Sequence, residues 1–432
     1  MNYQEAIEFL HDLTKFGFNF GLDRIKTLLE LLGSPHQELK TVHIGGTNGK
    51  GSTAAMTTSI LKAAGKSTGL YTSPHLDSYR ERIQINGEMI SESEMAGLLT
   101  EVRPHLEEMV VAGHEHPTEF EVITAVALLY FKLNNVDVAL VEVGLGGLID
   151  STNVVNPLVS VITNVGMDHM DYLGNSLDEI TRIKAGIIRK GTTLVTAAVK
   201  PEVLSVIEEI CEEKQSPLIR VGRDVTLVYG KHSLAGQHFS ISTGNRSYDS
   251  LELPLLGRHQ VTNAAMAVAI IEELGRQGFD IPSWAVSEGL RQVRWPARLE
   301  LIAGHPPVLV DAAHNFDGAL TLAGALRDYF PEEKIVLLIG MLADKEREKV
   351  LGVLAPLAEK IVITKPNSPR AGRWQQMGEE ARRYTQQVVI EENIAQAANL
   401  AIQAAGTTHL LCITGSFYMV AEVRKHILES RN

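Results

Sequence analysis

Residues 41–53 read TVHIGGTNGKGST. Residues 41–44 are a short β-prone run, and residues 45–52 are a glycine turn that carries one lysine. Residues 53–64 then read as a helix, with Ile60 and Leu61 on its apolar face and Gly65 as its stop. A strand, a glycine loop and a helix in that order suit phosphate binding. Glycines let backbone N–H groups approach phosphate oxygens, and the helix N-terminus adds the positive end of its dipole. Lys50 adds a full charge. The loop is not a literal G-x-x-x-x-G-K-[ST]: Ile44 stands where a glycine would, and Gly51 separates Lys50 from Ser52. The competing account is a glycine-rich turn with a solvated lysine. The strand–loop–helix context favours a nucleotide phosphate.

The neighbouring sequence extends this unit. Residues 136–143 (VDVALVEV) and 158–163 (LVSVIT) are near-continuous apolar runs, suited to a parallel sheet covered on both faces. Helical stretches at 120–132 and 177–188 alternate with them, which predicts an α/β fold. Residues 217–256 differ. Short alternating runs at 225–229, 238–242 and 248–253, broken by Gly, Asn and Ser, predict a small antiparallel insert. Helices follow at about 261–277 and 284–293. A second α/β series starts near Trp295-Pro296, with strands at 308–310, 335–339, 360–364, 388–390 and 410–413. The expected architecture is a P-loop-type, mostly parallel ATPase domain over residues 1–296. A smaller Rossmann-like α/β domain follows over 297–432.

Composition excludes several classes. The 432 residues allow two or three domains at about 150 residues each. With 44% hydrophobic and 21% charged residues the chain is an ordinary globular one, not a disordered one. The net charge of −12 disfavours non-specific nucleic-acid binding and anionic membranes. Cys211 and Cys412 match no metal or CxxC spacing, so a reducing cytoplasm is the expected setting. The start, MNYQEAIEFLHDL, lacks the basic and apolar regions of a signal peptide. The apolar run at 122–131 is far short of the roughly 20 residues a bilayer needs.

Chemistry-bearing residues recur at strand ends. Glu142 ends VALVE, where open α/β sheets bind ligands, although a glutamate there can also cap a turn. Asp168-His169 follows the next strand in the same way. Mg²⁺ prefers oxygen ligands, so ligand softness leaves His169 balanced between a structural and a metal role. Lys184 lies in a helical stretch, where composition favours an exposed helix lysine. Asp311 follows a strand of the second series; it suits a ribose contact, or an Asx turn with an N-cap.

The chain resembles the folylpolyglutamate synthase/dihydrofolate synthase group of the Mur ligase superfamily. The matching motifs are GGTNGKGS (45–52), YTSPHL (71–76), TEFEVITAVAL (118–128), VEVGLGG (141–147), DSTNVV (150–155), MDHMDYLG (167–174), KAGI (184–187), GRHQVTNAAMA (257–267), RWPARLE (294–300), DAAHN (311–315), KPNSPRA (365–371) and TGSFYMV (414–420). They run in the family's order over nearly the whole chain. KFGFNFGLDRI (15–25) resembles the family's folate-side segment, which cell-wall Mur ligases lack.

The resemblance implies an ATP-dependent ligase. A folate-type carboxylate attacks the γ-phosphate of ATP, and the amine of L-glutamate then displaces phosphate from the acyl phosphate. Asn48, Gly49, Lys50 and Gly51 match the phosphate loop, and Asn263, Arg298 and Asp311 match nucleotide contacts. Ser73, Glu142 and His169 match Mg²⁺ ligands, and two ions are implied. Lys184 matches a lysine the family can carbamylate, and His314 a histidine near the reacting groups. Phe120 and Glu121 match a pterin-side pair, with Arg82 on the same side. The implied acceptors are dihydropteroate or a reduced folate, and the implied state is a monomer. Three positions depart from the family: Leu148 stands for Arg, Ile183 for Glu and Phe316 for Pro. The first two motivate an alternative, a divergent paralogue that binds nucleotide or folate without turnover. A cell-wall Mur ligase is the other alternative, and KFGFNFGLDRI and YTSPHL argue against it.

Overall fold

The computed structural model describes residues 1–17 and 19–431. Phe18 of the folate-side segment and Asn432 lie outside the described residues.

Eight strands form the first sheet: β1 (Thr41–Gly45), β2 (Thr68–Tyr71), β3 (Ile83–Ile85), β4 (Glu88–Met89), β5 (Val138–Glu142), β6 (Val159–Ile162), β7 (Thr193–Thr196) and β8 (Leu218–Arg220). Their order is β4-β3-β2-β5-β1-β6-β7-β8, parallel from β2 to β8, with an antiparallel edge of β3 and β4. The apolar runs explain this. Val42, Ile44, Val138 and Leu140 face one side, packed under helices Lys50–Ala63, Arg258–Arg276 and Ser283–Gln292. Ala139 and Val141 face the other, under helices Tyr3–Leu13, Asp23–Leu31, Glu92–Val111 and Glu119–Leu133. A strand buried on both faces has no room for polar alternation. The chain leaves β1 towards β2 and β5 on one side and later returns to β6, β7 and β8 on the other. That reversal opens the crevice where such sheets take ligands, at the carboxyl ends of β5, β1 and β6.

The expected antiparallel insert is present as β9 (Val225–Ser233), β10 (Gly236–Thr243) and β11 (Ser247–Leu253). It is shorter than read, because residues 218–220 join the large sheet as its parallel edge. They follow helix Pro201–Glu213, so the crossover connection claims them first.

Six strands form the second large sheet: β12 (Glu300–Ile302), β13 (Val308–Val310), β14 (Lys334–Ile339), β15 (Ala358–Thr364), β16 (Val388–Glu391) and β17 (His409–Thr414). Their order is β12-β13-β17-β14-β15-β16, with only β12 antiparallel. Helices Phe316–Tyr329 and Arg347–Leu354 cover one face, and Ile394–Ala405 and Phe417–Arg431 the other. Among the described residues, no helix is long and apolar enough to cross a membrane.

Candidate active site

The phosphate loop is shaped by its glycines. Gly46 has φ +132°, and a Cβ there would lie 1.9 Å from Thr163 Oγ1. Gly49, at φ +86°, caps the helix, and a Cβ there would lie 2.6 Å from Asn263 Oδ1. The helix therefore starts at Lys50, three residues earlier than the sequence reading, and the lysine sits in its first turn. Lys50 Nζ donates to Gly46 O and Thr47 O, both at 3.3 Å. Lys184 reaches the same Gly46 carbonyl at 3.0 Å from helix Leu177–Ala185. It is no exposed helix lysine: burial, then the charge of Lys50, pushes its pKa down to about 7.

Glu142 closes β5 and is buried. Desolvation raises its carboxyl to about 7 against the opposing charges of Lys50 and Arg298 and the Ser73 backbone N–H. Lys50 Nζ lies 4.0 Å from Glu142 Oε1. A Cβ on Gly51 would lie 3.2 Å from Glu142 Oε2 and 3.0 Å from Trp295. Asp150 accepts from Leu145 N–H at 2.7 Å and so fixes the turn after Glu142.

His169 has a left-handed backbone, φ +52°, and its Nε2 lies 3.4 Å from Lys345 Nζ. Burial holds the ring neutral, with its pKa near 3. Beside it, burial raises Asp168, but the His314 hydrogen bond and the charges of His314, Lys345 and His169 outweigh this and hold it below the carboxylate range. Lys345 reaches Asp168 at 2.5 Å and Asn315 Nδ2 reaches it at 3.0 Å. Asn315 and Asn48 exchange two side-chain hydrogen bonds at 3.1 Å, tying the second sheet's loop to the phosphate loop. His314 stands 3.5 Å from Asp168.

Arg298 lies 5.4 Å over the Phe417 ring, and its charge acts on both Glu142 and Asp311. Asp311 accepts from Leu299 N and Ala313 N, each at 2.9 Å. The residues expected on the substrate side form a second group. Arg82 bridges His75 Nδ1 at 2.9 Å and Glu119 at 3.1 Å, next to Phe120. Glu121 is fully buried and faces inward. It completes the Thr118 capping box and pairs with Arg24 of the folate-side segment at 3.1 Å.

The Mur ligase middle-domain family model matches residues 44–271, and the Mur ligase glutamate ligase domain matches residues 297–417. The chain is 37% identical to the Bacillus subtilis dihydrofolate synthase/folylpolyglutamate synthase, covering 98% of this chain and 99% of that protein. The Mycobacterium tuberculosis folylpolyglutamate synthase complexed with ADP superposes with a TM-score of 0.91 at 32% identity, over 98% of both chains. The Escherichia coli FolC in complex with DHPP and ADP gives 0.89 at 30% identity, over 100% of this chain and 99% of that one. The chain belongs to the folylpolyglutamate synthase/dihydrofolate synthase family of Mur ligases.

Within this family fold, the donor chemistry around Glu142 suits Mg²⁺. Ser73 is adjacent, with its backbone N–H on the Glu142 carboxylate, and Mg²⁺ takes a few oxygen donors while keeping waters and substrate phosphates for the rest. Among the described residues, no three His, Cys, Asp or Glu side chains are grouped so as to hold a metal ion by themselves. The structure adds two polar residues to the expected set, Asn315 and Lys345, both of which bond to the Asp168 already read at a strand end. Lys345 lies on the loop that follows β14 (Lys334–Ile339), so extending the strand-end rule from the last strand residue, as at Glu142, to the loop MLADK would have found it. Asn315 was legible only as part of DAAHN, and its contact with Asn48 spans 267 positions of sequence.

Proposed function

We infer that this chain is an ATP-dependent ligase that joins L-glutamate to a folate-type carboxylate through an acyl phosphate. The carrying observation is the convergence of Lys50 and Lys184 on Gly46 O beside Glu142, at the start of a helix. Phosphoryl transfer needs little covalent help from the protein; it needs in-line positioning and charge neutralisation. Asn48, Gly49, Lys50 and Gly51 receive the phosphates, with Asn263 bracing Gly49. Arg298 and Asp311 approach the nucleotide from the second sheet. Ser73, Glu142 and His169 hold Mg²⁺, which when bound neutralises charge on the phosphate oxygens. His314 stands by the reacting groups, and Phe120 and Arg82 line the acceptor side.

Glu121 acts there through Arg24, which ties the folate-side segment to the helix bearing Phe120. The depressed pKa of Lys184 supports carbamylation, because only the neutral amine takes up CO₂. A carbamate would offer oxygens to a second Mg²⁺. The division of labour runs between residues 1–296 and 297–432, supported by the change of sheet and by the two family models. Two buried free cysteines fit a reducing cytoplasm, and the protein works as a monomer.

The test supplies ATP, Mg²⁺ and L-glutamate, with dihydropteroate in one reaction and a reduced folate monoglutamate in the other, and reads products by mass spectrometry. A glutamate gain on dihydropteroate alone marks a dihydrofolate synthase, and on the folate alone a tail extender. Gains on both mark a bifunctional enzyme. No gain on either, with ADP binding intact, overturns the ligase reading.

A further inference from the structure

Ala297 and Leu299 flank Arg298, and both have left-handed backbones, at φ +54° and +48°. Neither is a glycine, so each sits in a sparsely populated region. Such conformations persist only where the surroundings over-determine them. Four contacts do so here. Ala297 N donates to Glu300 Oε2 at 2.8 Å, and Leu299 N donates to Asp311 Oδ2 at 2.9 Å. Ala312 N donates to Ala297 O at 3.1 Å. Glu300 itself is gripped by Arg424, whose Nε and NH2 donate to its two oxygens at 2.7 and 2.8 Å.

Arg424 is well placed to be the anchor. Its side chain is only 15% exposed, and the fork-to-fork geometry fixes direction as well as distance. It lies on helix Phe417–Arg431, seven residues after Phe417, on whose ring the Arg298 guanidinium rests. One helix thus supports Arg298 at its tip and at its base. The same arginine lies 4.0 Å from Asp77, four residues after Ser73.

We propose that Arg424 is a positioning residue: through Glu300 it holds the strained Ala297–Leu299 turn and so presets Arg298 for the nucleotide. The proposal rests on the reading of Arg298 as a nucleotide contact. Without the grip on Glu300 the turn relaxes towards negative φ and carries the guanidinium away from Glu142. A glycine at position 297 removes the reason to relax, because glycine adopts φ +54° without steric cost.

The experiment titrates Mg²⁺-ADP by calorimetry into the wild type, Arg424→Met, Arg424→Lys, Ala297→Gly, Arg298→Ala and the double variant Arg424→Met/Ala297→Gly. Circular dichroism checks folding. Arg424→Met is expected to weaken ADP about tenfold, the release of one strained residue. Arg424→Lys falls between, since an ammonium has no fork. Ala297→Gly binds like the wild type, and the double variant returns to within about threefold of it. A merely structural arginine would not be rescued by a glycine 127 positions away. If Arg298→Ala weakens ADP while Arg424→Met and Arg424→Lys do not, the positioning role is overturned. Failure of the glycine to restore a folded Arg424→Met also overturns it. If Arg298→Ala binds ADP normally, the nucleotide reading of Arg298 fails first, and that result is distinct from the other two. If Arg424→Met does not fold, Arg424→Lys with and without Ala297→Gly decides by the same comparison.

Discussion

The nucleotide side and the acceptor side of the site are built differently. On the nucleotide side Lys184, Glu142, Asn263 and Asp311 are all buried, at strand ends or on covered helices. On the proposed acceptor side Arg82 and Glu121 are buried too, but the neighbouring Phe16, Phe20 and Tyr172 are 36%, 40% and 41% exposed. Phe16 stacks on His116 at 4.3 Å, and Phe20 meets Tyr172 edge-on at 5.6 Å. The first group stores charge in a dry, fixed frame, where electrostatics are strong and no reorganisation is needed. The second presents exposed aromatic rings on a turn and short helices. The difference teaches that, on the proposed reading, the phosphate side is buried and fixed throughout, while the acceptor side joins a buried Arg82 and Glu121 to exposed aromatic rings.

The largest expected effect breaks the frame at its charge. Lys50→Met should lower kcat for glutamate-dependent phosphate release by about 10³-fold, the scale of losing one preorganised stabilising group. Phe120→Ala should chiefly raise the acceptor KM. Equal losses of kcat in the two variants would erase the distinction between the sides.

Next comes the pH dependence of stability. Lys184 has a folded pKa near 7, below its ordinary value, because burial and Lys50 disfavour the ammonium. The unfolded chain therefore binds more protons than the folded one between about pH 7 and pH 10, and stability rises with pH across that window. The penalty is fully present below pH 7. Lys184→Met should be more stable than the wild type by about 2 kcal/mol at pH 6, with the gap closing towards pH 10. Denaturant unfolding at several pH values in CO₂-free buffer reads this. A gap that stays constant with pH would show that Lys184 is not the group responsible.

Gly144→Ala is a smaller and more local disturbance. The new Cβ would lie 2.4 Å from Phe120 Cζ, so the ring must move. Overpacking of this kind costs about 1–3 kcal/mol, and about a tenfold rise in acceptor KM is expected. Calorimetric ADP affinity should hold within about twofold, since the phosphate loop is untouched. A parallel loss of ADP binding would mean that the two sides share one frame.

The same contrast explains what the sequence made legible. Apolar runs named β1, β5 and β6 of the first sheet and β13 to β17 of the second, because strands buried on both faces must be continuously apolar, whereas β2, β3, β4, β7 and β8 went unread. Strand ends then flagged Glu142, Asp168-His169 and Asp311 by position alone. The burial of Lys184 was not legible, since a lysine on an amphipathic helix reads as part of its solvated face, and only its bond to Gly46 O reveals otherwise. Glu121 read as a substrate-side residue because it matches the family's Phe-Glu pair; its bond with Arg24, 97 positions earlier, has no local signature. Long-range polar pairs such as Asn48–Asn315 leave no local trace.

The smallest expected effect concerns the two departures from the family pattern. Leu148 is 54% exposed, and its backbone N–H is already satisfied by Ile183 O at 2.8 Å. An arginine there can extend into solvent, so Leu148→Arg should change stability by less than about 0.5 kcal/mol. Ile183 differs, because it packs on the apolar cluster beneath the turn after Glu142, and a Cβ on Gly146 would lie 3.0 Å from its Cγ2. Ile183→Glu trades that half-buried contact for a carboxylate and should cost about 1 kcal/mol in thermal unfolding. Neither change touches Lys50, Glu142 or Gly46, so glutamate-dependent turnover should stay within about threefold of the wild type. A rise of an order of magnitude in the double variant would instead mean that these two apolar side chains hold the wild-type enzyme back, and that charge beside the turn belongs to the preorganised side.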